Sequence, residues 1–241
     1  MPQVSSGAQP VSHDLWDSLS RAHVSPEGWV DYAGFVEDSA RLNAYLDLLS
    51  RHHPNEAFWT DEQRLAYWIN AYNAFTVKLI VDNYPVEGIK EIKNGIPFVN
   101  TVWDIKFIEI EGQRYDLNNI EHGIIRSRFE EPRIHFAVNC ASVSCPNLRD
   151  EAYRAERLDQ QLNEQARAFL SDATKNVVRT DRVQLSKIFL WYRGDFTGRQ
   201  GLIDFLNRYA PVKIDAEAEV EYLDYDWRLN IRENMRGGEA E

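Results

Sequence analysis

Thr60-Asp61-Glu62-Gln63-Arg64-Leu65-Ala66-Tyr67-Trp68-Ile69-Asn70-Ala71-Tyr72-Asn73-Ala74-Phe75, running on to Pro85, is the stretch on which the reading of the fold turns. Thr60 followed three positions later by Gln63 has the form of a capping box, and Pro85 supplies a stop. Leu65, Trp68, Ile69, Tyr72, Leu79 and Ile80 recur at spacings of three, four and seven. That is the apolar stripe of a long helix, expected from 61 to about 83. Asn70 and Asn73 share one face of it, away from the stripe. Asn is a mediocre helix former, so two within a turn imply a polar role. They either fasten a buried loop, with the cysteine loop described below as one candidate, or contact a ligand.

Working outward, Leu15, Trp16, Leu19 and Ala22 predict a helix from 13 to 22. A short turn-and-strand unit is expected over 24–32 and a helix over 35–50. Downstream, Gly88, Gly95 and Pro97 mark an irregular stretch. Residues 103–111 alternate as a strand, with a hairpin turn at Glu111-Gly112-Gln113. A helix is expected over 117–128, a buried strand over 133–139 and a long helix over 151–171. A hairpin follows around Thr180-Asp181, then short helices near 188–191 and 200–209, then one or two strands over 212–227. Helical runs with clustered short strands predict an α+β domain, several helices packed on a small, mainly antiparallel sheet. By analogy only, this is loosely similar to papain or transglutaminase folds. The expected organisation is a flexible leader over 1–12, one domain over 13–232 and a flexible tail over 233–241.

The chain has 241 residues with 27 basic and 38 acidic side chains, a net charge of −11. This balance argues against a surface built to coat nucleic acid. The longest apolar stretch, 74–81, is short and holds Lys78, so no membrane span is expected. No signal peptide is visible at the start. The acidic positions Asp215, Glu217, Glu219, Glu221, Asp224 and Asp226 fit the wet face of an edge strand. A partner of small-molecule or peptide size is expected, no cofactor is called for, and oligomeric state stays open.

Only two cysteines occur, Cys140 and Cys145, which excludes a disulfide scaffold. They lie in His135-Phe136-Ala137-Val138-Asn139-Cys140-Ala141-Ser142-Val143-Ser144-Cys145-Pro146. Pro146 fits the first position of a helical turn, with Ser144 or Cys145 as its cap. A thiol near a helix N-terminus or an imidazole becomes a better nucleophile. A Cys–His hydrolase needs a thiolate, an imidazole, a group orienting that imidazole, and oxyanion donors. Cys140 supplies the first, His122 or His135 the second and Glu121 the third. The Asn139 carboxamide and the loop amides supply the fourth. On a regular strand His135 and Cys140 would face opposite sides, so pairing them directly requires a bend. Three other readings stand beside this one. The cysteines are small buried hydrophobes, or His122, His135, Cys140 and Cys145 bind a metal, or the two sulfurs form a disulfide that staples the loop or acts as a redox element. Near 191–196, Trp191 and Tyr192 read as core or cleft wall. Asp195 is a third catalytic member or a helix cap.

Four segments together resemble the domain of unknown function 547 family. They are Tyr67-Trp68-Ile69-Asn70-Ala71-Tyr72-Asn73-Ala74, Ile120-Glu121-His122-Gly123-Ile124-Ile125-Arg126, the His135 to Pro146 run, and Trp191-Tyr192-Arg193-Gly194-Asp195-Phe196. Tyr225-Asp226-Trp227-Arg228-Leu229-Asn230 is similar to a tail of bacterial members. The resemblance implies a single domain and no established activity. It also implies an exported, periplasmic or secreted location, with the cytoplasm as the alternative. The family usually places Gly where this chain has Ala141, and plant-type members tend to have Ser where Cys145 stands. The second point favours Cys140 as the nucleophile over a general two-cysteine role. The first makes a positive-φ turn at Ala141 less expected. The leading expectation is therefore a cysteine-dependent hydrolase or acyl-transfer enzyme acting on an amide or thioester. A binding or scaffold domain and a metal-binding protein are the alternatives.

Overall fold

A computed structural model describes residues 7–93, 101–196 and 201–235. Residues 1–6 of the expected leader, Gly95 and Pro97, Gln200 and residues 236–241 lie outside the described residues. The chain opens with α1 (Asp14–His23), α2 (Tyr32–Glu37) and α3 (Ser39–Ser50). The helix expected over 35–50 is thus divided at Asp38. That carboxylate takes His23 Nε2 at 2.8 Å and Arg41 Nη1 at 2.9 Å, and the backbone breaks around it.

Helix α4 (Asp61–Val81) follows, and its capping box is complete: Thr60 Oγ1 accepts from Gln63 N–H and Gln63 Oε1 from Thr60 N–H. It is wider in burial than its stripe predicts. Every residue from Leu65 to Val77 is buried, Asn70 and Asn73 included. A helix wrapped on all sides sits at the centre of a domain. Here α2 and α3 pack on α4, as does the segment that carries Glu121.

Strands β1 (Ile108–Ile110) and β2 (Gln113–Tyr115) form the expected hairpin, with Ile110 opposite Gln113. Gly112 turns the chain at φ +75°, and Glu111 beside it also has positive φ. The strand is shorter than expected because Thr101 and Asp104 close a 3-10 turn at Val102–Asp104. The helix expected over 117–128 is a π-helix, Asn119–Ile125, followed by the single turn α5 (Arg126–Arg128). Single π-helical turns recur where side chains must be re-aimed at a site.

The buried strand expected over 133–139 is corrected to a 3-10 helix, Pro132–Phe136. The long helix α6 starts at Leu158, not 151, and ends at Ser171. Glu151 instead anchors a loop, bonded to Arg149, Arg157 and Gln161. Strands β3 (Val177–Val178) and β4 (Arg182–Leu185) form the predicted antiparallel hairpin, and β5 (Glu219–Tyr222) joins β4 in parallel register. Short helices α7 (Ile188–Trp191), α8 (Arg193–Phe196) and α9 (Gly201–Leu206) lie between, and α10 (Arg232–Met235) closes the described chain. The fold is α+β, with one two-stranded antiparallel sheet and one mixed three-stranded sheet among the described residues. No helix among the described residues is long and apolar enough to cross a membrane.

Two apolar clusters organise the packing. One gathers α1 to α4 with Ile108, Ile120 and Ile134. The other gathers Phe136, α6, Val183, Phe189, Phe196 and Phe205. The segment from His135 to Cys145 runs past both, and a cavity opens there.

Candidate functional site

A cavity of about 400 Å³ is walled by Tyr72 from α4, Glu121 and His122 from the π-helix, His135, the cysteine loop, Trp191 and Tyr192, and Tyr225 and Trp227. Four of the five expected catalytic residues therefore share one cavity: Cys140, His122, His135 and Glu121. Asn139 is placed differently.

The loop is built by carboxamides. Asn73 Nδ2 donates to Ala137 O and Asn73 Oδ1 accepts from Asn139 N–H, each at 2.9 Å. Asn139 Nδ2 donates to Pro146 O at 2.7 Å, and its Oδ1 accepts from Ala141 N–H at 2.8 Å. These bonds hold Asn139, 3% exposed, as a loop clamp rather than an oxyanion donor. Asn70 acts in the same way elsewhere, bonding both backbone groups of Tyr153. Of the two roles open to these asparagines, loop fastening is the one found, and Asn73 does fasten the cysteine loop.

Ala141 adopts φ +61°, the left-handed conformation that favours Gly. The turn forms without Gly because the Asx bond from Asn139 stabilises it. No helical turn begins at Pro146, so the helix-terminus explanation for an acidic thiol falls away. Ser144 is not a helix cap either. Its Oγ accepts from Asp226 N–H at 2.8 Å, which straps the tail along the loop. Ser144 N–H and Val143 N–H donate to Asp226 O and Arg228 O, completing the strap.

Cys140 and Cys145 are joined in a disulfide. Cys145 is buried and accepts from Cys140 N–H at 2.8 Å, while Cys140 is more exposed. Cys140 Sγ lies 3.3 Å from both Ser142 Oγ and Tyr225 Oη. Burial pushes the Tyr225 phenol well up, so it stays a donor.

The two imidazoles differ in their free nitrogens. His135 Nε2 lies 2.7 Å from Asp195 Oδ2. Asp195 is gripped from the other side by Arg126, whose Nε and Nη2 donate at 2.7 and 2.9 Å. Arg126 first, and His135 after it, hold the Asp195 carboxyl below its ordinary range, so it is ionised and only accepts. The His135 proton therefore sits on Nε2. Burial pushes the His135 pKa down, outweighing the pull of Asp195, and the ring is neutral. Its Nδ1 lone pair is buried with no partner among the described residues. His122 is the reverse case. Arg126 Nη1 donates to its Nδ1 at 3.0 Å, so the neutral ring carries its proton on Nε2 and offers a donor.

The group that orients His135 is thus Asp195, not Glu121. The carboxylate of Glu121 accepts from Tyr192 Oη at 2.7 Å and from Tyr72. Tyr192 stacks on His135 at 4.0 Å between centroids, and Trp191 forms the cavity wall. His122, His135 and the two cysteines do not converge: no group of three or more His, Cys, Asp or Glu among the described residues is placed to hold a metal ion. Sequence reasoning does not find Tyr225 and Ser142 as partners of Cys140. Tyr225 is visible there only as part of the tail motif, and a tyrosine 85 positions away gives no local signal.

Fold and site together define an α+β domain whose cavity sets a cysteine pair beside an aspartate-held histidine. A family model described as protein of unknown function, DUF547, matches residues 57–170 of the chain. That segment contains Asn70, Asn73, both histidines and both cysteines, but not Asp195 or Tyr225. No curated protein and no solved structure matches the chain.

Proposed function

We propose that this chain is a cysteine-dependent enzyme of the hydrolase or acyl-transfer type, acting on an amide or thioester through Cys140 in its reduced form. The observation that carries the reading is the neutral, tautomer-fixed His135, whose Nδ1, without a partner among the described residues, belongs to a residue lining the same cavity as Cys140. Asp195 keeps the proton on Nε2, leaving Nδ1 free as a base. Tyr225, itself accepting from Ser142, donates to the Cys140 sulfur and favours its thiolate.

The disulfide is then the resting state. A dithiol reductant's thiolate attacks the more exposed Cys140 Sγ, and Cys145 leaves as a thiolate. The reductant's second thiol displaces Cys140, so both cysteines are reduced and the reductant becomes a disulfide. Separation of the sulfurs also frees Cys140 N–H from Cys145, giving the nucleophile's own amide as an oxyanion donor. In the acyl step the Cys140 proton passes to His135 Nδ1, sulfur attacks the carbonyl, and His135 protonates the leaving amine or thiol. Water or an acceptor then releases the acyl group. An exported location suits a chain whose two cysteines are bonded.

Iodoacetamide labelling across pH, with and without dithiothreitol, tests this. Cys140 labels only after reduction and titrates below the ordinary thiol value of about 8.5. A reduced Cys140 titrating at or above that value, together with no turnover of thioester or amide panels, overturns the reading. A non-enzymatic binding domain is the second reading. It is favoured by the disulfide itself, which leaves no free thiol.

A further inference from the structure

The cavity holds a second set of groups, of which the thiol chemistry uses only Tyr225. Trp103, Trp191, Trp227 and Tyr225 form one continuous aromatic wall. Trp227 lies 5.5 Å from Trp103, 5.8 Å from Trp191 and 4.5 Å from Tyr225, centroid to centroid. Trp191 is 46% exposed although it lines the cavity. A half-exposed Trp beside two others is an apolar surface that is costly to leave wet.

Glu121 belongs to the same cavity and is only 6% exposed. Its carboxylate has phenol donors but, among the described residues, no Lys, Arg or His nitrogen at ion-pair distance. Buried carboxylates are ordinarily paired with a cation. A carboxylate inside an aromatic enclosure is the chemistry that takes up an organic cation. The wall already carries one. The Lys90 ammonium sits 3.5 Å from the Trp227 centroid, and no carboxylate among the described residues pairs with it.

We infer that the cavity is a binding site for a substituted ammonium group. Glu121 is the counter-ion, Trp191, Trp227 and Tyr225 form the cage, and Lys90 occupies the Trp227 face until the ligand displaces it. The site uses the cavity of the proposed enzyme but does not depend on Cys140 being a nucleophile. It names the cationic feature of whatever ligand that cavity accepts.

Choline and its neutral carbon isostere, 3,3-dimethyl-1-butanol, separate charge from shape. The full chain is titrated with each in its disulfide form, where no thiol chemistry operates. Binding is read by tryptophan fluorescence and calorimetry. Choline is expected to bind at least about tenfold tighter than the alcohol. Glu121→Gln is expected to remove that preference, Trp191→Ala to weaken choline by about tenfold, and Lys90→Ala to tighten it. Trp191→Ala alters a half-exposed side chain and keeps the test open should Glu121→Gln fail to fold. Equal binding of the two probes, no saturable binding of choline, or a preference that survives Glu121→Gln overturns the inference. None of these outcomes bears on the labelling of reduced Cys140, so the two proposals fail separately.

Discussion

Replacing Asn73 by Ala removes two hydrogen bonds from one buried carboxamide and strands two backbone groups, Ala137 C=O and Asn139 N–H. Asn73, Ala137 and Asn139 are all at most 3% exposed, so water has no ready path to either group. An unsatisfied buried donor or acceptor costs about 1–3 kcal/mol, which puts the loss at roughly 2–6 kcal/mol for the pair. For a chain of this size about 1 kcal/mol moves Tm by roughly 2–4 °C, so a fall of about 4–24 °C follows. Urea unfolding followed by tryptophan fluorescence and far-UV circular dichroism gives the free energy directly. The midpoint should drop at unchanged slope. Asn70→Ala is the matched control, because Asn70 satisfies both backbone groups of Tyr153 with the same geometry. It should cost a similar amount yet leave labelling of reduced Cys140 as in the wild type, whereas Asn73→Ala should change both. A loss below about 1 kcal/mol for Asn73→Ala would show that water or backbone relaxation replaces the clamp, and would refute the reasoning.

Asp195→Ala removes the acceptor of His135 Nε2, the Oδ2 that also takes Arg126 Nε. The imidazole is then free to carry its proton on Nδ1. The thiol of reduced Cys140 should titrate nearer about 8.5, and any acyl-transfer rate should fall by about 10⁴. His13 is buried against Tyr45, its Nδ1 2.7 Å from the Tyr45 Oη, and burial pushes its pKa down to about 4. The unfolded chain takes up that proton near 6.5, so this contribution is intact above about 6.5 and is lost as pH falls toward 4. Between pH 7 and 5 the loss is about 2 kcal/mol. Urea unfolding at both values should show it, and His13→Gln should flatten the difference. Thr60→Ala breaks the capping box and should cost about 1 kcal/mol, read as a Tm drop of about 2–4 °C. At Ala141, a change to Val places a β-branched side chain at φ +61° in a fully buried position and should cost about 2 kcal/mol or more by urea unfolding. Ala141→Gly should stay within about 1 kcal/mol of wild type, since relief of the turn offsets the lost methyl burial.

Helix α4 is legible in the sequence because its signals are local: a cap, a periodic stripe and a terminating proline. The β1–β2 and β3–β4 hairpins are legible for the same reason. The strand expected over 133–139 fails because a short apolar run behind a proline does not state its own hydrogen-bond partners. Those partners lie far along the chain. Gln165 takes Phe136 C=O, and Asn73 takes Ala137 C=O and Asn139 N–H. Once side chains satisfy the backbone, no neighbouring strand is required. The division of labour at the site is hidden similarly. His135 and Cys140 are visible as candidates, but the Asp195 bond spans 60 positions and the Tyr225 contact 85.

The same physical device explains why the cavity is built on irregular backbone. Sites are usually held most firmly on helices and strands. Here the residues from His135 to Tyr153 carry the site with little regular structure beyond the 3-10 helix. Two helices supply what a sheet would otherwise supply. Asn70 and Asn73 reach out from α4; Gln161 and Gln165 reach out from α6. Gln161 bonds Ala152 C=O and Arg154 N–H, and Gln165 bonds Phe136 C=O and Asn147 C=O. Each carboxamide has a donor and an acceptor, so each can stand in for backbone partners while imposing no strand geometry on the segment it holds. Such a segment is free to take dihedral angles that a ladder forbids, including φ +61° at Ala141 next to the proposed nucleophile. Asn73 of the Tyr67 to Ala74 motif and the histidine and cysteines of the His135 to Pro146 motif therefore belong to one device. The first motif fixes the shape in which the second presents its chemistry.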